Sequence, residues 1–279
     1  SKHVILAGDD DQAIYGWAGA DVQRFQGEPA KNIILPQSYR VPQAVQQIAD
    51  QILNRIPENR RIKKQWASRP EGGSVDHVTS IEDVPLHESD WLILARTNDK
   101  LIKLKSILKE MAIYFEIKDR KSYKTRLYTA VKHYTRWTKG DKLSLSECKD
   151  LFEYLELEQE LKEERMYDLK EFNYSIEDQW YEVFKSDPEE CLYIREMLRL
   201  GEKLNSPARV KLSTIHSAKG GEATNVLLIL DNTRKIREAV DKSEDKHDEE
   251  HRVWYVGVTR TKQNLYIMTP KREDRSYDI

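Results

Sequence analysis

A series of short apolar runs, separated by segments with helical periodicity, places the strongest constraint on how this chain folds. Each run is about five residues long, which is too short for a helix and typical of parallel strands covered on both faces. The runs occupy residues 3–7, 32–35, 91–95, 226–230 and, at the end of the series, 265–268. Alternation of such strands with helices predicts an α/β fold built around a parallel sheet.

Two of the intervening segments repeat apolar residues at helical spacing. The first follows Pro42, a residue that suits the first turn of a helix, and the second follows the run at 91–95. Their apolar positions are Val45, Ile48, Ala49, Ile52 and Ile56, then Leu101, Leu104, Ile107, Leu108 and Met111. Both segments are predicted to be helices.

The alternation stops between residues 123 and 204, where no convincing strand occurs. Ser144 and Glu147 have the spacing of a capping box and predict the start of a helix. The apolar residues of that helix are Leu151, Leu155 and Leu161. A second helix is predicted at 189–204, so this region is expected to be a helical insertion in the α/β fold.

The formal net charge of −2 hides an uneven distribution of charge. Residues 118–142 contain nine basic and two acidic residues, whereas residues 147–199 contain 17 acidic and seven basic residues. The basic block also contains four aromatic residues, namely Tyr123, Tyr128, Tyr134 and Trp137. It therefore has two interpretations: an extension of a DNA-binding groove, or one apolar helical face with solvated lysines on the other side.

The sequence has neither an apolar run of about 18 residues nor a charged-then-apolar leader. We therefore expect no membrane partner and a cytoplasmic location, in a bacterial or phage-infected cell. The two cysteines, Cys148 and Cys191, match no zinc or redox spacing. They are expected to be buried or incidental thiols.

The segment G-D-D-D-Q-A-I-Y-G-W-A-G-A at residues 8–20 follows the first apolar run directly. Ligands of open α/β sheets bind at the carboxyl ends of the strands, where these polar residues are expected to lie. Gln12 suits contact with a phosphate or its attacking water, and Tyr15 and Trp17 offer flat faces for bases. Taken alone, the segment favours the other interpretation, a surface turn with buried aromatic residues.

Three further segments decide between these interpretations. They are L-P-Q-S-Y-R at 35–40, T-I-H-S-A-K-G-G-E at 214–222 and E-E-H-R-V-W-Y-V-G-V-T-R-T-K at 249–262. Together with residues 8–20, and in this order, they resemble motifs three to six of the UvrD/Rep-like superfamily 1 DNA helicases. The resemblance covers nearly the whole chain and implies a RecA-like fold of the P-loop NTPase type.

The resemblance implies an ATP site with a defined set of residues. Arg40 and Arg260 match the two arginines that act on the γ-phosphate, and their charge suits a phosphoryl-transfer transition state. Gln12 matches the γ-phosphate sensor. Tyr39 matches the tyrosine that stacks on adenine, Glu222 matches a carboxylate near the ribose, and Gly220 precedes it in the same motif.

The resemblance also implies a path for single-stranded DNA. Trp17, with Tyr15 beside it, matches an aromatic residue that stacks on bases without regard to their sequence. Thr214 and His216 match residues that line the path and link it to the ATP site. The expected partner is single-stranded DNA or a junction of single- and double-stranded DNA.

The chain departs from the family pattern in three places. Ala18 stands where the third motif has an arginine, and Gly221-Glu222-Ala223 replaces the usual L-E-F. No G-x-x-x-x-G-K-(S/T) loop occurs, and the string L-L-I-L-D at 227–231 is read as an ordinary core strand. ATP and Mg²⁺ are the implied cofactors, with the phosphate loop and the Mg²⁺ ligands expected upstream rather than in this chain.

These expectations together predict a domain organisation and a function for the chain. Residues 1–40 are the end of a first RecA-like domain; residues 41–122 and 206–279 form the second RecA-like domain; and residues 123–205 are the helical insertion. The parent protein is expected to be an ATP-dependent DNA helicase or translocase, while the isolated chain, without its N-terminal RecA-like partner domain, is expected not to hydrolyse ATP. The alternative is a helicase-like module that binds nucleic acid or a partner without catalysis.

Overall fold

The computed structural model describes residues 5–29, 31–155, 157, 161, 164–172, 174, 179–271 and 275–279. No helix in this described part is long and apolar enough to cross a membrane. The chain divides into two compact units. Unit 1 comprises Ser1–Lys105 and Arg209–Ile279, and unit 2 comprises Ser106–Ala208.

The described residues alternate between helices and strands over most of their length. The helices are α1 (Val22–Gln26), α2 (Gln43–Leu53), α3 (Asn98–Glu110), α4 (Thr125–Thr138), α5 (Leu145–Leu155), α6 (Trp180–Val183), α7 (Pro188–Arg199), α8 (Arg234–Lys242) and α9 (Glu244–Val258). The strands are β1 (Gln37–Pro42), β2 (Ala67–Arg69), β3 (Ser74–Val78), β4 (Trp91–Ala95), β5 (Phe115–Ile117), β6 (Arg120–Lys121), β7 (Leu143–Ser144), β8 (Met166–Tyr167), β9 (Val210–Thr214), β10 (Ala223–Ile229) and β11 (Thr261–Met268).

Unit 1 is organised around parallel strands that lie side by side in the order β3-β11-β10-β4-β9. Every residue of β4 is buried, as a central strand covered on both faces requires. The α/β prediction is confirmed. The runs predicted at 91–95, 226–230 and 265–268 fall on β4, β10 and β11, with β10 ending one residue early.

Two other apolar runs were wrongly predicted to be strands. Residues 5–7 and 32–35 have no strand structure, and residues 3–4 lie outside the described residues. Ile5 is 92% exposed and Leu35 is 80% exposed. A strand needs a hydrogen-bonded neighbour, and the described part of the chain offers none to these runs. The strand in this region begins at Gln37 instead and pairs with β2.

The two helices predicted from periodicity are confirmed as α2 and α3. α2 begins one residue after Pro42 and buries Val45, Ala49 and Ile52; Ile56 lies beyond its end but is also buried. α2 packs against α9. α9 in turn approaches β10 closely at Gly257, where an added Cβ would lie 3.1 Å from Leu228 Cδ1.

Unit 2 is mainly helical and has a core of its own. The predicted capping box is present: the Ser144 backbone N–H donates to Glu147 Oε2 at 2.8 Å, and the Glu147 N–H donates to Ser144 Oγ at 3.4 Å. The helix it starts, α5, ends at Leu155, so Leu161 was wrongly included. The second predicted helix is α7, which ends at Arg199, because Gly201 soon afterwards takes a left-handed φ of 80°.

Unit 2 also contains short strands that the sequence did not predict. β7 and β8 form a two-residue antiparallel pair. The aromatic residues of the basic block are buried in the core of this unit, with Trp137 packed on Phe152 and Phe172. Of the two interpretations of that block, the structure therefore supports an apolar core face with charged residues outside.

Candidate functional site

The four sequence motifs come together within unit 1. The first forms a short 3₁₀ turn, Asp10–Gln12, and the second lies on β1. The third follows the end of β9, where ligands of parallel sheets bind. The fourth runs along α9 into β11, and it includes Arg260 between the two elements.

Gln12 and Arg260 contact each other directly, although 248 residues separate them in the sequence. Arg260 Nη2 donates to Gln12 Oε1 at 3.2 Å, and Gln12 Nε2 donates to Asp9 Oδ2 at 2.6 Å. A guanidinium only donates and an ionised carboxylate only accepts, so these partners fix which way the amide faces. The side-chain amide of Gln12 is therefore held at both ends.

Arg260 is anchored by backbone carbonyls and is only 1% exposed. Its Nε donates to the Val256 carbonyl at 2.9 Å, and its Nη1 donates to the Gly221 carbonyl at 3.3 Å. Burial, together with the positive charge of Arg40, lowers the pKa of Arg260 to about 10. The guanidinium remains charged at neutral pH, and an anion brought to it would meet little competing water.

Arg40 and Glu222 form a second contact close to Arg260. Arg40 Nη1 lies 3.4 Å from Glu222 Oε2, and Lys262 Nζ lies 2.8 Å from Glu222 Oε1. The hydrogen bond from Lys262 and the charge of Arg40 lower the pKa of Glu222. One carboxylate thus faces two cations, and the buried Nε of Arg40 has no hydrogen-bond partner among the described residues. Glu222 neutralises only one of these two positive charges, and the Nε–H of Arg40 is available as a hydrogen-bond donor. Both features suit an anionic ligand.

Tyr39 and Gly220 occupy the margins of this arrangement. Tyr39 is 87% exposed, so most of its ring faces solvent. Gly220 has a φ of 91°, a left-handed conformation that other residues rarely adopt. It lies in the turn between β9 and β10.

A group of aromatic residues lies beside the Gln12 turn. Tyr15 Oη donates to the His216 carbonyl at 2.7 Å, and its ring is in a T-shaped arrangement with both Trp17 and His216, with ring centroids 6.0 Å apart in each pair. Trp17 is 73% exposed, so its indole faces are available. Burial, with the charge of Arg96, lowers the pKa of His216 and keeps its ring neutral at neutral pH.

Thr214 has a local role. Its Oγ1 accepts from the Ser217 backbone N–H at 3.2 Å and holds the turn that presents His216. Three of the residues predicted to contact DNA therefore lie together, namely Tyr15, Trp17 and His216. Thr214 stabilises the turn that carries His216.

Two lysines in these motifs acquired no role from the sequence, but the structure gives them one. Lys262 pairs with Glu222, as described above. Lys219 Nζ donates to the Gln12 carbonyl at 2.7 Å and lies 5.2 Å from the centre of the Tyr15 ring. Lys219 thus bridges the aromatic group and the Gln12 turn. Its position in the third of the four segments was the only signal for it.

Two acidic residues at the start of the last motif, Glu249 and Glu250, accept hydrogen bonds from other parts of unit 1. Glu250 is buried and accepts from Arg96 Nη2 at 2.8 Å and Trp254 Nε1 at 2.7 Å. Its neighbour Glu249 accepts from the Gly16 N–H at 3.2 Å. These two carboxylates connect α9 to Arg96, directly after β4, and to the backbone between Tyr15 and Trp17.

Three successive carboxylates, Asp9, Asp10 and Asp11, lie together at the start of the Gln12 turn. Lys64 lies within ion-pair distance of all three, and Arg61 Nε lies 2.8 Å from Asp11 Oδ1. Two cations of the chain itself therefore offset most of the negative charge of these three acids. Sequence reasoning missed both cations, which lie in a segment between two motifs.

The parallel sheet and the four motifs at its edge define an α/β domain of the RecA-like helicase type. The family model for the UvrD-like helicase C-terminal domain matches residues 117–272, more than half of the chain. The chain belongs to this family.

Two similar proteins carry the name "ATP-dependent DNA helicase PcrA". The protein from Staphylococcus epidermidis is 23% identical over an alignment of 373 residues, which covers 95% of this chain and 51% of that protein. The protein from Staphylococcus aureus is 29% identical over 118 residues, covering 35% of this chain and 16% of that protein. The chain thus spans about half the length of the first of these relatives.

Proposed function

We infer that this chain is the C-terminal part of an ATP-dependent DNA helicase or translocase that couples ATP hydrolysis to movement along single-stranded DNA. The observation that carries this proposal is the contact between Gln12 and Arg260, with Arg40 close by. It brings together three residues from three separate motifs, each of which suits a terminal phosphate. Family membership and the name of the relatives support the same conclusion.

The residues present fit a nucleotide. The unpartnered Nε of Arg40 and the buried guanidinium of Arg260 form a strongly cationic position that is only partly balanced by Glu222. In this proposal Gln12, Arg40 and Arg260 hold the terminal phosphate, with Tyr39, Gly220 and Glu222 along the rest of the nucleotide. ATP would supply the transferable phosphoryl group, and Mg²⁺ would be held by upstream residues.

The aromatic group is the proposed contact with DNA. Trp17 and Tyr15 would stack on bases, while His216 and Thr214 shape the same surface. Lys219 contacts both the Tyr15 ring and the Gln12 carbonyl. A movement of the DNA-binding surface would therefore be transmitted to the Gln12 turn through this one side chain, and a movement of the Gln12 turn would be transmitted back in the same way. Single-stranded DNA, alone or at a junction with duplex DNA, is the proposed substrate.

The proposal also divides the chain among the domains of the parent protein. Residues 1–40 belong to a first RecA-like domain, residues 41–122 and 206–279 to a second, and residues 123–205 to a reduced insertion. The exposed apolar runs at 5–6 and 33–35 support the first assignment, because a sheet continued from upstream residues would bury them. That upstream RecA-like domain is the proposed partner of this chain.

The test measures ATP hydrolysis, with and without oligo-dT, on the 279-residue chain and on a version that begins further upstream, called here the upstream-extended protein. The proposal predicts hydrolysis only by the upstream-extended protein, at a rate that oligo-dT increases. Absence of hydrolysis by both, with binding of oligo-dT retained, would favour a non-catalytic DNA-binding module. Hydrolysis by the 279-residue chain alone would mean that the ATP site has been misplaced.

A further inference from the structure

A largely buried lysine lies behind the Gln12 turn, outside all four motifs. Lys64 Nζ lies 2.6 Å from Asp9 Oδ1 and 3.0 Å from Asp11 Oδ2, and it also pairs with Asp10. Although burial alone would lower the pKa of Lys64, the carboxylates of Asp11 and Asp9 raise it above its usual value. Lys64 is therefore a permanently charged group in contact with three acids.

These contacts continue without a break to the proposed phosphate-binding residues. Lys64 binds one oxygen of Asp9, the other oxygen of Asp9 accepts from Gln12 Nε2 at 2.6 Å, and Gln12 Oε1 accepts from Arg260 at 3.2 Å. Each step joins a group that can only donate to one that can accept. The orientation of the Gln12 amide thus depends on where the Asp9 carboxylate points.

The Asp9 carboxylate needs a cation to stay in this position. Asp10 and Asp11 are buried beside it, and like charges at such spacing repel strongly when water is scarce. Asp11 has Arg61 as a second partner and Asp10 accepts from Gln26, but Lys64 is the cation that contacts Asp9. The Asp11 backbone N–H also donates to Asp9 Oδ1 at 3.1 Å, but this neutral donor offsets none of the repulsion from Asp10 and Asp11. Without Lys64, Asp9, the most exposed of the three acids, is therefore expected to turn toward solvent and release the Gln12 amide.

We propose that Lys64 is a positioning residue that sets the orientation of the Gln12 side-chain amide through Asp9. Its importance for ATP hydrolysis rests on the proposed function, but its effect on Gln12 does not. Lys64 touches no ligand in this scheme. It acts by holding the carboxylate that holds the amide.

The first test uses the 279-residue chain without nucleotide. Hydrogen exchange at Gln12 Nε2 is followed by NMR, with the resonance assigned by its loss in Gln12→Ala. Lys64→Met is expected to speed this exchange by about tenfold or more. Lys63→Met, a neighbouring exposed lysine with one distant partner at 3.9 Å, is the matched control and should leave it unchanged. Equal exchange in wild type and Lys64→Met would overturn the proposal.

The second test measures kcat and KM for ATP in the upstream-extended protein. Lys64→Met is expected to lower kcat by about tenfold to a hundredfold, with little change in KM, while Lys64→Arg restores most of the loss. In a Gln12→Ala background, Lys64→Met should cause no further loss, because both changes remove the same interaction. An equal further loss in that background would show that Lys64 only supports the fold. If wild type does not hydrolyse ATP, the proposed function fails, while the exchange measurement still decides whether Lys64 positions Gln12.

Discussion

The two compact units bury different kinds of side chain. Unit 1 encloses charged groups next to its motifs, among them Asp10, Asp11, Glu250 and Arg260. In the described part of unit 2, the buried charged residues are Glu190 and Glu202, and the core consists mainly of aromatic and aliphatic side chains. Burying a charge costs free energy even when it is paired, whereas burying an aromatic ring is favourable.

The difference indicates what each unit contributes. The buried charges of unit 1 hold other side chains in fixed orientations, as Arg260 does for Gln12. The aromatic core of unit 2 contributes packing energy. Substitutions in unit 1 should therefore affect chemistry or binding first, and substitutions in the core of unit 2 should affect stability first.

The largest expected effect tests the chemical side of this comparison. Arg260→Lys in the upstream-extended protein should lower kcat for ATP by about 10³–10⁵, because a lysine lacks the fork that bonds Gln12 and the backbone together. Steady-state hydrolysis measures this effect. Arg136→Lys in unit 2, where Arg136 pairs with Glu147 at 2.6 Å on the surface, is the matched control and should change kcat little. Similar losses in both variants would remove the distinction between the units.

The next effect tests the packing side. Trp137→Ala should lower the free energy of unfolding of unit 2 by about 3–5 kcal/mol, because the ring is fully buried against Phe152 and Phe172. Denaturant unfolding followed by circular dichroism measures it. Leu192→Ala, an exposed position on α7, should cost about 0.5 kcal/mol or less. A loss of stability no larger than that of the control would contradict the packing account.

Much of this contrast was visible in the sequence, and part of it was not. Gln12, Arg40 and Arg260 were identified because each lies in a motif with a recognisable pattern of residues. Lys64 was missed because its partner Asp9 lies 55 residues away, and no local pattern encodes that contact. A lysine that balances buried acids looks, in sequence, like any surface lysine.

The strand predictions show the same limit. The run at 91–95 and the run at 32–35 have similar apolar character, yet only the first is a strand. What separates them is the presence of neighbours: β4 lies between β10 and β9, whereas 32–35 has no pairing partner in the described part of the chain. Periodicity reports a preference for burial, and burial depends on what else is present.

A smaller effect concerns the response of unit 1 to acid. Burial, with the nearby charge of His247, lowers the pKa of His251 from 6.5 to about 4. In the unfolded chain this histidine is protonated below about pH 6.5, whereas in the folded chain it is protonated only below about pH 4. The folded state therefore loses stability relative to the unfolded state as the pH falls across that interval. The loss attributable to His251 should reach roughly 2–4 kcal/mol.

Unfolding free energies of wild type and His251→Gln between pH 7 and pH 4 measure this loss. The variant should lose less stability on acidification than wild type does. His87→Gln, at an exposed position, should follow the wild-type curve. Parallel curves for wild type and His251→Gln would mean that His251 is not held neutral by the fold.

The smallest expected effect separates two faces within unit 1. Trp17→Ala should weaken binding of oligo-dT by about 1–3 kcal/mol and leave nucleotide affinity unchanged, because its exposed indole is the proposed stacking face. Tyr39→Ala in the upstream-extended protein should weaken nucleotide binding and leave the affinity for oligo-dT unchanged. Fluorescence anisotropy with labelled oligo-dT and with a labelled ATP analogue measures both. If both variants weaken binding of the same ligand, Trp17 and Tyr39 do not belong to two separate binding surfaces.

The central claim is that the site of unit 1 belongs to a motor that moves along single-stranded DNA. Displacement of streptavidin from biotin at either end of an oligo-dT strand, by the upstream-extended protein with ATP, tests it most directly. The proposed function predicts ATP-dependent displacement from one of the two ends only, and no displacement by Arg260→Lys. ATP hydrolysis without displacement from either end would contradict the claim.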